Sequence, residues 1–149
     1  MSKATEIFLD CEWNGYRGSL ITMALVAMSG EELYVGIPLF EEADPWVRRH
    51  VLPVVGEEVE RVTGPLELAS RLAGFLAKFE AVHLIADWPE DIERFCRALI
   101  TGPGLRVDTP PLTMEIRRDL DAVASALPHN ALEDARAIRD SYLTLMADS

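Results

Sequence analysis

Three apolar segments follow one another within the first forty residues, joined by connections of only a few residues. IFLDCEW (7–13), SLITMALVAM (19–28) and ELYVGIPL (32–39) are separated by the turn-rich NGYRG and by a Ser29-Gly30 turn. Spacings this short fit strands that pair antiparallel, because a parallel neighbour needs a long crossover. A three-strand antiparallel meander is the expected start of the fold, with Pro38 closing its last strand or marking an edge.

The rest of the chain alternates. Residues 40–64 are mixed, with PWVRRHVLP (45–53) read as a short helix opened by Pro45. PLELASRLAGFLAKF (65–79) repeats its apolar residues at helical spacing. VHLIA (82–86) reads as a buried strand, a helix is expected over about 89–100, and LRVDT (105–109) reads as a fifth strand. After TPPLTM a helical stretch is expected to about Leu127, where Pro128 breaks it, and a last helix over about 131–147. The order predicts an α/β chain: a five-stranded mixed sheet, meander first, flanked by helices.

At 149 residues, without repeats or a linker-like segment, the chain is expected to form a single domain, 1–149. Its formal charge of −11 is the opposite of what an extended phosphate-gripping surface requires. An acidic pocket that approaches phosphate through bound cations remains compatible with it. Cys11 and Cys96 form no CxxC pair, the N-terminus shows no signal-peptide core, and the longest nearly apolar run is about half a membrane span. A soluble, reduced, cytoplasmic protein with no membrane association is expected.

Several acids and one histidine stand out. Asp10 and Glu12 lie two apart in an otherwise apolar strand, so they share a face. They are either hydrated together at a strand end or drawn together by a cation. Asp87 follows VHLIA, where it can cap the next helix, and Asp91 falls in that helix's first turn. Both would also lie at the strand-end rim where ligands bind in open α/β sheets. In PHNALEDARA (128–137), Asn130 can cap the last helix, with Glu133 completing a capping box. That leaves Asp134, a helix-start acid near the apolar stripe, and His129, just outside the cap, without local roles.

Taken together, the DxE pair, the acid after a strand, and HNALEDA (129–135) resemble the DEDDh 3′–5′ exonuclease family, which includes ribonuclease T and oligoribonuclease. The most specific match is His129, Ala131, Asp134 and Ala135, and the matched positions run from Asp10 to Asp134, almost the whole chain. The chain looks most like small bacterial exoribonuclease-like proteins with little beyond the nuclease core. In the middle motif, Asp87 stands where the family has an asparagine and Asp91 where it has the metal-associated aspartate. Asp91 therefore takes the family role, with Asp87 the alternative. Trp13 and Asn14 replace the small hydroxyl residues usual after DxE.

The resemblance implies a ribonuclease H-like fold and a metal-dependent 3′–5′ exonuclease, an exoribonuclease by preference, releasing nucleotides from single-stranded RNA (or DNA) 3′ ends. Two Mg²⁺ or Mn²⁺ ions, about 3.5–4 Å apart, would be held by Asp10, Glu12, Asp91 and Asp134. His129 would be the general base. Trp13, Asn14 and Trp46 would meet the terminal nucleotide, with Trp88 a further stacking candidate and Arg48 and Arg49 candidates for a phosphate. The acidic exterior predicts short or single-stranded substrates. Small relatives are commonly dimers, so a homodimer is compatible. The competing expectations are a catalytically silent RNA-end- or nucleotide-binding module, and an interaction domain whose acids are incidental.

Overall fold

The computed structural model describes residues 3–149. The meander forms as expected: β1 (Thr5–Trp13), β2 (Leu20–Ala27) and β3 (Glu32–Gly36) pair antiparallel in sequence. Next come α1 (Pro45–His50), a 3₁₀ turn at Leu52–Val54, β4 (Glu60–Arg61) and α2 (Pro65–Leu76). β5 (Val82–Ala86) and α3 (Pro89–Leu99) follow, then β6 (Ile100–Gly102), β7 (Leu105–Arg106), β8 (Leu112–Ile116) and α4 (Ala131–Ala147). Pro45, Pro65 and Pro89 each stand at the first turn of their helix, where a missing N–H costs nothing.

The main sheet has six strands in the order β4-β3-β2-β1-β5-β8. β5 pairs parallel to β1, β8 parallel to β5, and β4 parallel to β3, so the sheet is mixed. Strand alternation sends Ile7, Leu9 and Cys11 to one face, where they pack with Leu68 and Leu72 of α2 and Phe95 of α3. Phe8, Ala24, Val26 and Ile85 face the other way, against Ala131, Leu132, Ala135 and Ile138 of α4. Helices thus cover both faces, and β1 is central.

Three expectations are corrected: the fifth strand, the helix before Pro128 and the count of five strands. LRVDT does not supply a sheet strand: Leu105–Arg106 forms a small hairpin with Ile100–Gly102 outside the main sheet. The place beside β5 is taken by Leu112–Ile116, within the stretch expected to lead into a helix. Pro110 and Pro111 favour extended chain around them, and the Pro111 carbonyl accepts from Val82 N–H at 2.9 Å, which starts the parallel pairing. Residues 117–130 then form turns rather than a helix. The sixth strand, the two-residue β4, is too short to leave a pattern in sequence.

Candidate metal centre

β1 delivers Asp10 and Glu12 to the α4 face, opposite Ala24 and Thr22 of β2. Small neighbours leave room for the carboxylates there. The β1–β5 register pairs Phe8 with Ile85. Carried two residues further, it sets Asp87 beside Asp10 on the same face. Asp91, in the first turn of α3, accepts the Cys11 backbone N–H at 3.0 Å, which fixes that carboxylate against β1. Asp134 comes from the first turn of α4, and its Oδ2 accepts the His129 N–H at 3.2 Å.

α4 is anchored by Asn130. Its Oδ1 accepts from Glu133 N–H at 2.9 Å, and its Nδ2 donates to the carbonyls of Val54 (2.9 Å) and Val55 (3.3 Å). Only half of the expected capping box forms. The Asn130 N–H donates to the Leu127 carbonyl, and the Glu133 carboxylate pairs instead with Arg136, which also binds Glu32 on β3. A guanidinium one turn along the helix is a stronger partner for a carboxylate than a neutral amide.

The five acids converge as two triads that share one member. Carboxylate oxygens of Asp10, Glu12 and Asp134 all lie within 4.8 Å of one another, and so do those of Asp10, Asp87 and Asp91. Asp87 and Asp91 both face Asp10. Asp10 is 9% exposed and Asp91 only 2%. The Oδ2 of Asp10 is buried with no hydrogen-bond partner among the described residues. A buried carboxylate oxygen without a donor is costly unless something positive meets it.

The electrostatics say the same. Burial, and then repulsion from Asp91, Glu12, Asp134 and Asp87, raise Asp10 far above the usual carboxyl range. Burial first, then Asp134 and Asp91, push Glu12 up to about 8. Asp91 also rises to about 8, through burial and the charge of Asp87, against the opposing Cys11 N–H. Asp87 and Asp134 are raised as well, chiefly by burial. Clustered carboxylate oxygens, one of them buried without a donor, could hold a metal ion.

The remaining expected site residues divide. His129 takes a left-handed backbone (φ 73°), and its ring meets Trp46 edge-on at 4.9 Å between centroids. Trp46 is 46% exposed. Asn14 is buried, and its amide groups are fully engaged: Nδ2 donates to Glu41 Oε2 (2.6 Å) and the Glu42 carbonyl (3.0 Å), while Oδ1 accepts from Asp44 N–H (2.7 Å). It holds the segment that caps α1, and so positions Trp46. Gly18 lets the β1–β2 turn close on Asn14, since a Cβ there would lie 1.6 Å from the Asn14 carbonyl oxygen. Trp13 packs against the α2/α3 core with the Arg94 guanidinium 5.4 Å from its ring, away from the acids. Trp88 carries the Arg118 guanidinium 4.7 Å above its ring. Arg48 binds the Ala43 carbonyl and Glu42, and Arg49 is exposed.

Two neighbours of the centre escaped the sequence reading. His50 lies 4.9 Å from Trp46 and 6.4 Å from His129, ring to ring. Its i,i+4 spacing from Trp46 on α1 was a usable signal. Arg118 donates to the Asp87 carbonyl from a turn segment, and no local pattern marks it. No protein-family model and no curated protein matches this chain, so the chemistry of the centre rests on its own geometry.

Proposed function

We propose that the protein is a metal-dependent 3′–5′ exonuclease acting on short or single-stranded nucleic acid, preferentially RNA, in a reduced cytoplasmic setting. The observation that carries this reading is the pair of carboxylate triads sharing Asp10, beside His129. The sheet order supports a ribonuclease H-like assignment: three antiparallel strands, then β5 and β8 added parallel on the free side of β1. Divalent cations held by Asp10, Glu12 and Asp134, and by Asp10, Asp87 and Asp91, would stabilise charge on the attacking and leaving oxygens of a phosphodiester.

The chain's own residues do the rest. Asp10 is common to both triads, so it would serve cations held by either. The Cys11 N–H orients Asp91, and Asn130 anchors the start of α4, which carries Asp134. His129, bonded through its backbone to Asp134, takes the proton of the attacking water, a role worth about 10²–10⁴ in rate. The open ring of Trp46 stacks on the terminal base, held in place by Asn14 through Asp44.

The test is a 5′-labelled single-stranded RNA incubated with Mn²⁺ or Mg²⁺. Wild type should give a shortening ladder. Asp10→Ala should abolish both the ladder and cation binding; His129→Ala should cut turnover by at least a hundredfold while cation binding persists. Binding of RNA without shortening by wild type would instead favour the silent-module reading.

A further inference from the structure

Arg118 is one of a few arginines in this acidic chain that bind no carboxylate among the described residues. Arg71, Arg94, Arg97, Arg117 and Arg136 each pair with a carboxylate, whereas Arg118 makes no ion pair among the described residues. It stands against Asp87, one of the five clustered acids, and takes its backbone carbonyl rather than a carboxylate. Its Nη1 donates to the backbone carbonyl of Asp87, and its guanidinium lies 4.7 Å above the ring of Trp88. The Asp87 carboxylate is thereby left to face Asp10 and Asp91. An arginine stacked on an aromatic ring and tied by one N–H is already ordered, and its remaining donors form a fork suited to a phosphate. Arg118 is exposed, so that fork opens to solvent at the rim of the centre.

We infer that Arg118, held on Trp88, clamps a backbone phosphate adjoining the scissile one, which makes the substrate an oligonucleotide with a second phosphate rather than any single phosphodiester. This rests on the exonuclease reading. It also changes the part played by Trp88: one face of its ring carries the arginine instead of a base. Because the tether is to a carbonyl, the clamp adds positive charge at the rim without withdrawing a metal ligand.

The experiment compares two substrates in Mn²⁺: a single-stranded pentaribonucleotide and p-nitrophenyl thymidine 5′-phosphate, which has one phosphodiester only. Arg118→Gln should lower kcat/KM on the pentamer about tenfold, mainly through KM, and leave the nitrophenyl ester unchanged. Arg118→Lys should recover part of the loss, and Trp88→Ala should mimic a milder form of it. Pentamer binding in Ca²⁺ should lose about 0.7 from its slope of log affinity against log salt in Arg118→Gln, the signature of one lost contact to a single strand. Equal effects on both substrates, or no effect on either with an unchanged salt slope, would overturn the clamp while leaving the exonuclease reading intact. If wild type hydrolyses neither substrate and binds no pentamer, both fall together.

Discussion

His129 and Asp10 both depart from ordinary local chemistry. A non-glycine residue at φ 73° is strained, and His129 is held there by its N–H bond to Asp134 and by Trp46 against its ring. Asp10 departs differently, as a buried acid whose Oδ2 lacks a donor. A carboxylate kept in such a place is destabilising unless something positive neutralises it. Asp10→Asn should therefore raise the stability of metal-free protein at pH 8, by about 1–3 kcal/mol. The same variant should lose the gain that saturating cation confers on wild type, about 2.7 kcal/mol at a hundredfold excess over Kd. Denaturant titrations with and without Mn²⁺ read both. A variant less stable than wild type without metal would show that Asp10 is a structural acid.

At the scale of elements, the centre depends on how α4 is seated. Asn130 satisfies one free N–H of the helix and two carbonyls of the Val54–Val55 turn, so one side chain joins α4 to the connection after α1. Asn130→Ala should cost about 1–2 kcal/mol, the upper part of the range for a lost N-cap. Because the same contact positions Asp134 and His129, cation affinity should fall in parallel. A urea midpoint that shifts while cation affinity stays constant would separate the two roles. The amphipathic α2 was legible from its residues because Leu68, Leu72, Phe75 and Leu76 recur at helical spacing. β8 was not legible. Its burial pattern is mostly open, as befits an edge strand, and the proline pair before it also suits a helix start. What selected the strand was the vacant parallel edge of β5.

Across the whole molecule, the acid cluster couples stability to pH. Glu12 and Asp91 titrate at about 8 in the folded protein, and Asp10, Asp87 and Asp134 also lie above their ordinary range; unfolded, all would titrate near 4. Between about pH 4 and pH 8 the native state therefore holds protons that the unfolded chain has released, and stability falls as pH rises through that window. Thermal melts of metal-free protein should show Tm declining from pH 5 to pH 8. Saturating Mn²⁺ should flatten the decline, its effect growing with pH as cations replace protons. A metal-free Tm that climbs over this range would contradict the buried cluster. Among the described residues no helix is long and apolar enough to cross a membrane. By itself the sequence determined the meander, the amphipathic helices and the common face of Asp10 and Glu12, because each follows from a local period of two or of 3.6 residues. Only the tertiary structure decided that Asp87 and Asp91 both reach Asp10, that Arg118 stands over Trp88, and that Leu112–Ile116 is a strand. Those outcomes depend on strand register and on contacts between residues far apart in the chain, which no local period encodes.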